Sequence, residues 1–370
     1  MRELRPILVT GGAGFIGSNF ILELIARGLG PVVNLDKLTY AGNARNLCSV
    51  EGSGTYTLIC GDICDVDLVG RLMAEYKPWA VVHFAAESHV DRSIAAPDAF
   101  VRTNIEGTFT LLRATDNYLR ASGAELRQTF RFLHVSTDEV FGSLGLEEPP
   151  FCEQTAYAPN SPYAASKAAS DHLVRAWVHT YGLPAIITNC SNNYGPYQLP
   201  EKLIPLMIMN ALAGIHLPVY GDGLQVRDWL YVSDHCSALR AVLQRGRIGA
   251  TYNIGGGNQR TNLEVVKLVC ELLDTMAPES EFCPHIQLLQ HVPDRLGHDR
   301  RYAIDARKIE RELDWRREET FESGMRKTVA WYLANQVWVR DTATDDHQGW
   351  VKEKHGHREG PSSLGLQGTR

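Results

Sequence analysis

The sequence predicts an α/β protein, a doubly wound parallel sheet with a smaller mixed α/β domain beside it. Two observations carry that expectation. Short β-branched runs alternate with amphipathic stretches through the first half of the chain, and such alternation is how parallel strands acquire helices on both faces of their sheet. Beyond about residue 189 the alternation loosens into Gly- and Pro-containing segments (Gly195-Pro196, Gly221-Asp222-Gly223, Gly255-Gly256-Gly257), which reads as a smaller unit built around a ligand.

In chain order, the β-branched run 7–10 predicts a strand, and the amphipathic stretch 18–27 the helix that follows it. Strand 32–36 comes next, then strand 57–60 with helix 66–75 and strand 80–85 with helix 104–119. The series continues with strand 130–136, a helix around 161–181 and strand 185–188. From Asp341 onward the chain is rich in charge, His, Gly and Ser, with Trp350 and a few isolated apolar residues, so 341–370 is expected to be a mobile tail.

With 370 residues, 44% apolar and 22% charged, the chain has ample material for a large core. Its net charge of −6 excludes a surface dominated by clustered Lys and Arg, and with it a nucleic-acid partner. Any anionic ligand must therefore be met by cations gathered locally. The eight cysteines contain no C-x-x-C pair and no His partners at metal-ligand spacing, so they are expected to be reduced, mostly packed thiols with no metal. Between Met1 and Ile7-Leu8-Val9 there is no room for the apolar core of a signal peptide, which predicts a cytoplasmic protein. The most apolar long stretch, 203–220, is broken by Pro205, Asn210, Gly214, His216 and Pro218, too often for a membrane span.

The segment Thr10-Gly11-Gly12-Ala13-Gly14-Phe15-Ile16-Gly17 places glycines at positions 11, 14 and 17, between the first strand and the first helix. Gly11 permits the tight turn, Gly14 lets the backbone approach a pyrophosphate, and Gly17 lets the helix pack close to the sheet. Asp36 follows nineteen residues after Gly17, at the end of the next strand, where a carboxylate reaches the ribose hydroxyls and repels a 2′-phosphate. The combination predicts a Rossmann-type domain and favours NAD over NADP. Lys37 is the counter-signal, because a basic neighbour accommodates that phosphate. Asp62 in Gly61-Asp62-Ile63 reads equally as an adenine neighbour or as a turn-forming acid.

Tyr163 and Lys167 lie four residues apart on a predicted helix and share one face. A lysine charge beside a phenol favours the phenolate, a base usable near neutral pH. The strand 130–136 runs into Thr137-Asp138-Glu139, at a strand end where α/β folds place ligand chemistry. On these residues the sequence resembles the extended short-chain dehydrogenase/reductase superfamily, whose Ser/Thr, Tyr and Lys match Thr137, Tyr163 and Lys167. Most of that superfamily lacks the adjacent acids. Asp138-Glu139 is similar to the pair of the dTDP-glucose 4,6-dehydratases, and elimination of water uses one group to protonate a leaving hydroxyl and another to remove a carbon-bound proton.

The resemblance extends from about Ile7 to Val339 through segments such as 83–93, 189–197, 200–203, 227–232, 252–256 and 294–302. It implies that Gly11, Gly14, Phe15, Ile16, Gly17, Asp36, Lys37, Thr39, Asp62, Ile63, Phe84, Ala85, Ala86, Thr103, Tyr163, Lys167 and Asn193 hold NAD. It further implies that Ser88, Thr137, Asn192, Lys202, Leu203, Pro218, Tyr220, Arg227, Asn262, Asp294, Arg295 and His298 face a nucleotide-sugar. Lys202, Arg227 and Arg295 are the expected diphosphate clamp, since a diphosphate needs cations. The implied NAD-binding domain comprises 1–190 plus about 229–257, and the nucleotide-sugar domain about 191–228 plus 258–340.

The implied activity converts dTDP-glucose to dTDP-4-keto-6-deoxyglucose: C4 is oxidised by bound NAD, water is eliminated across C5/C6 with Glu139 as base and Asp138 as acid, and hydride returns to C6. A homodimer is implied through 104–119 and 166–181. The rivals are a nucleotide-sugar 4-epimerase or 6-hydroxy dehydrogenase on the same fold, and a non-catalytic NAD-binding module.

Overall fold

The computed structural model describes residues 5–294 and 299–342. Its strands, in chain order, are β1 (Ile7–Thr10), β2 (Val32–Asp36), β3 (Tyr56–Cys60), β4 (Ala80–His83), β5 (Arg131–Thr137), β6 (Ala185–Cys190), β7 (Asn192–Tyr194), β8 (Leu217–Tyr220), β9 (Val226–Tyr231), β10 (Thr251–Ile254), β11 (Gln259–Thr261) and β12 (Leu289–Val292). Seven of them form one parallel sheet in the order β10-β6-β5-β4-β1-β2-β3. The strand order reverses beside β1, which opens a crevice outside the carboxyl ends of β1 and β4.

Alternation along the strands divides the apolar side chains between the two faces. Ile7, Val9, Val82 and Leu133 pack with Phe20, Leu24, Leu239 and Val242 from the helices Phe15–Ala26 and Val232–Arg245. Leu8, Val81 and Phe132 pack on the other side with Val69, Leu111, Leu112 and Val174, from helices Val66–Tyr76, Thr108–Ser122 and Pro162–Tyr181. The last of these is bounded by local chemistry. Ser161 accepts from the Ala164 amide, Pro162 occupies the first turn, and Gly182 ends the helix at φ 65°. The stretch expected as helix 104–119 is helical from Asp98 to Ser122, and Val101–Gly107 within it is wound as a π-helix.

A second core lies among β7, β8 and β9 and the helices Leu203–Leu212, Asn262–Met276 and Phe321–Ala334. β9 pairs with β11 on one side and β7 on the other, and β8 pairs with β12. Trp229, Leu230 and Tyr231 thus finish a strand of the small sheet, and the helix Val232–Arg245 and β10 then return the chain to the large one.

Two expectations need correction. Asp341 and Thr342 belong to the helix Gln336–Thr342, tied to the loop after β2 by an Arg45–Asp341 ion pair and a hydrogen bond from Asn43 to Thr342. The remainder of the expected tail, 343–370, lies outside the described residues. All eight cysteines are unpaired, but Cys48, Cys60 and Cys283 are exposed rather than packed, because each sits at an edge or loop. Among the described residues no helix is long and apolar enough to cross a membrane.

Candidate active site

The glycine turn is built by close approach. A Cβ on Gly11 (φ +72°) would fall 2.5 Å from the Ala85 nitrogen, and one on Gly17 would fall 2.4 Å from the Gly11 carbonyl oxygen. Gly14 caps the helix Phe15–Ala26 with no side-chain acceptor, and the first turn carries no acid. Its leading amides are therefore left to an anion, with the helix dipole behind them. That arrangement fits the pyrophosphate of a dinucleotide.

Asp36, at the end of β2, is buried and accepts from the Ala13 and Leu38 amides, both at 2.8 Å. It stitches the glycine turn to the second strand while lining the same cleft. Lys37 Nζ donates to Asp62 Oδ2 at 2.8 Å, so the cation beside Asp36 is engaged by a carboxylate. This weighs further toward NAD. Asp62 also accepts from the Cys64 amide at 2.9 Å, which makes it a turn former as well as a lining residue.

One cleft is lined by Gly11, Gly14, Phe15, Ile16, Gly17, Asp36, Lys37, Thr39, Asp62, Ile63, Phe84, Ala85, Ala86, Thr103 and Asn193, together with Thr137, Asp138, Glu139, Tyr163 and Lys167. Thr103 enters from the π-helical segment, and Asn193 is oriented by His235, whose Nδ1 lies 2.9 Å from its Oδ1.

The catalytic candidates meet where β5 gives way to the turn Asp138–Phe141. Thr137 Oγ1 accepts from the Glu139 amide at 3.3 Å and also bonds the Tyr163 phenol. Asp138 is 2% exposed, and its Oδ2 has no hydrogen-bond partner among the described residues. Burial holds its pKa well above the usual carboxylate range; the charges of Glu139 and Asp228 add to the rise, and Arg227 opposes it.

The tyrosine departs from expectation. Burial, then the charges of Glu139 and Cys190, push the Tyr163 phenol well above its ordinary value, against the hydrogen bond from Thr137. Lys167 is buried too, its own pKa depressed by desolvation, and its Nζ donates to the Val135 carbonyl at 2.8 Å. The lysine beside it does not by itself produce a phenolate, because loss of water outweighs that one cation.

On the sugar side, Ser88, Asn192 and Lys202 line the same cleft. Asn192 Oδ1 is buried without a partner among the described residues, as an acceptor awaiting a ligand hydroxyl would be. Lys202 caps the helix Leu203–Leu212, which places Leu203 in its first turn. Arg227 stacks 4.4 Å from the Tyr302 ring centroid and bonds the Val226 and Asp299 carbonyls. Its charge reaches Asp138.

Pro218 and Tyr220 lie in β8, and Asn262 and Asp294 gather around Gln225. Leu203, Pro218, Tyr220, Arg227, Asn262 and Asp294 are not among the lining residues of the glycine-turn cleft. Arg295 and His298 fall outside the described residues. Among residues that the sequence did not single out, Glu87, Cys190, Gln198 and Glu201 also line the cleft. Each belongs to or adjoins a quoted motif, but no spacing distinguished it from a surface residue.

The chain matches the family model described as GDP-mannose 4,6 dehydratase over residues 8–328. It is 61% identical to the dTDP-glucose 4,6-dehydratase of Xanthomonas campestris pv. campestris (strain B100) over 90% of this chain and 94% of that protein. The chain belongs to the dTDP-glucose 4,6-dehydratase family. Another relative in it, dTDP-glucose 4,6-dehydratase 1 of Escherichia coli (strain K12), is 55% identical over 95% of this chain and 99% of that protein. Among solved structures, the Streptomyces venezuelae dTDP-glucose 4,6-dehydratase with NAD bound superposes at TM-score 0.83 with 45% identity, covering 91% of this chain and 99% of that one. The UDP-glucose 4-epimerase of Thermotoga maritima superposes at 0.78 with 28% identity, covering 90% and 99%. The fold is thus shared with epimerases, while sequence places the chain with the dehydratases.

Proposed function

We propose that this chain is an NAD-dependent hydro-lyase that converts dTDP-glucose to dTDP-4-keto-6-deoxyglucose. The single observation that carries the reading is the buried Asp138 beside Glu139 in one cleft with Tyr163, Lys167 and the glycine turn. An epimerase has no use for both acids. The turn at Gly11, Gly14 and Gly17 would hold the cofactor diphosphate and Asp36 its ribose; bound NAD supplies the redox chemistry, oxidising C4 and later reducing C6 with no net consumption.

The chain's own residues move the protons. Tyr163, once ionised to the phenolate, takes the C4 hydroxyl proton, with Thr137 fixing its oxygen and Lys167 lowering the cost of that ionisation. A ketone at C4 acidifies the C5 proton, which Glu139 removes. Asp138 in its acid form gives a proton to the C6 hydroxyl, which leaves as water, and C5 regains a proton when C6 is reduced. Lys202 and Arg227 offer cations to the substrate diphosphate.

The division into a cofactor domain (1–190 with about 229–257) and a sugar domain (about 191–228 with 258–340) is part of the same reading. So is a homodimer. The outer face of helices Thr108–Ser122 and Pro162–Tyr181 carries Phe109 and Tyr181, 38% and 44% exposed, around Trp177. Such an aromatic group on paired helices suits a second copy of the chain. Eight free thiols suit a reducing compartment such as the cytoplasm.

Incubating the purified protein with dTDP-glucose tests the reading. The expected product is lighter by one water, with no net NADH; an epimerised sugar of unchanged mass would refute it.

A further inference from the structure

Behind the cleft, four side chains converge on Asp171. Ser136 Oγ and Tyr157 Oη each donate to its Oδ2 at 2.9 Å, and Asn189 Nδ2 donates to the same oxygen at 3.3 Å. His134 Nε2 stands 3.1 Å from Oδ1. All three groups on Oδ2 are donors, the pattern that a carboxylate accepts. Asp171 is buried, is not among the residues lining the cleft, and takes no part in the proton transfers above.

Its place in the helix Pro162–Tyr181 gives it a role. It follows Lys167 by four residues and Tyr163 by eight, so the three share one face. At a rise of about 1.5 Å per residue it lies one turn, ~6 Å, from the lysine level and ~12 Å from the tyrosine. The Lys167 ammonium donates to the carbonyl of Val135, the residue between His134 and Ser136, both of which hold Asp171.

We propose that Asp171 is a positioning residue acting through Lys167: its buried negative charge keeps the lysine protonated and seated on the Val135 carbonyl, so that Lys167 can assist ionisation of Tyr163. The inference rests on the assignment of Tyr163 as the base. Desolvation depresses the Lys167 pKa, and Asp171 is first among the charges that oppose it. The other titratable groups around the carboxylate leave Lys167 as its buried counter-charge. Burial keeps His134 neutral from β5, Tyr157 is held protonated, and the Cys190 thiol at the end of β6 is pushed up to about 12. Arg175 and His172, on the same helix, are exposed and screened by water.

The sign of the effect follows. Without the charge, Lys167 loses its proton more readily, a neutral lysine does not aid the phenol, and Tyr163 titrates higher. The direct effect of Asp171 on Tyr163 is opposite but acts over about twice the distance, and is the weaker. The test is the pH profile of kcat for the NAD-loaded enzyme with dTDP-glucose, comparing wild type with Asp171→Asn and Asp171→Glu.

In Asp171→Asn the acid limb should move to higher pH by about one unit, a roughly tenfold loss on that limb that shrinks as pH rises, with KM within about twofold since Asp171 is outside the cleft. Asp171→Glu should keep the wild-type limb. If Asp171→Asn yields no folded protein, the neutral Asp171→Ser replaces it with the same expectation. A neutral variant whose limb coincides with wild type, whatever its overall rate, overturns the inference. Wild-type protein that does not dehydrate dTDP-glucose would instead overturn the assigned function.

Discussion

Asp138 is a carboxyl buried at the expense of the fold. Its Oδ2 is unpaired among the described residues, and its folded pKa lies above its unfolded one. Such a group contributes most to stability below the unfolded value of 3.8 and progressively less as pH rises toward the folded value. Asp138→Asn should therefore raise stability at neutral pH by about 1–2 kcal/mol, an advantage that vanishes near pH 4, while kcat falls by about 10²–10⁴. Urea melts at the two pH values and steady-state rates check both halves.

His235 has the opposite sign. Burial pushes its pKa down to about 3 from 6.5, so its contribution is complete above pH 6.5 and is lost as pH falls toward 3. The urea midpoint should drop across that window, and His235→Gln should flatten the drop. At this scale the meeting of these side chains in one cleft was legible, since Thr137-Asp138-Glu139 is a contiguous run and Tyr163 and Lys167 lie four residues apart on one helix. Their protonation was not. It depends on burial and on partners such as Val135 and Asp228, which are distant in the chain.

The glycine turn and the helix that follows it separate binding from folding. A Cβ on Gly14 would meet the Gly11 oxygen at 3.3 Å, a tight but tolerable contact, and would project where the diphosphate is expected. Gly14→Ala should weaken NAD binding by about tenfold or more while barely shifting the melting temperature of cofactor-free protein. On Gly17 the contact would be 2.4 Å from the same oxygen, which forces helix and strand apart. Gly17→Ala should lower both, and NAD titration beside thermal melts distinguishes the two variants.

The alternation of β-branched runs with amphipathic stretches made the large sheet and its helices legible. They could not reveal the π-helical turn Val101–Gly107, whose apolar spacing resembles that of an α-helix. β7 and β11, three residues each, are too short to express a period.

Across the whole molecule, the loops at the ends of β1, β4 and β5 meet Ser88, Asn192 and Lys202 in one cleft. The strand–turn–helix pattern foretold the loops after β1 and β5, and only resemblance to known sequences foretold the residues after β4, Asn192 and Lys202, because contacts between chain segments a hundred residues apart leave no local pattern. If the aromatic face around Phe109 and Trp177 joins two copies, Phe109→Glu should convert a sedimenting dimer to monomer, through the cost of burying an unpaired charge.

In the proposed reaction Glu139, Asp138 and Tyr163 act together on one hexose. Mass spectrometry of the product formed from C4-deuterated dTDP-glucose in D₂O tests it most directly, with Glu139→Gln alongside. Loss of one water, the C4 label on C6 and solvent deuterium at C5 are expected, all abolished in the variant. A product that keeps its oxygen, or water loss undiminished by Glu139→Gln, would contradict it.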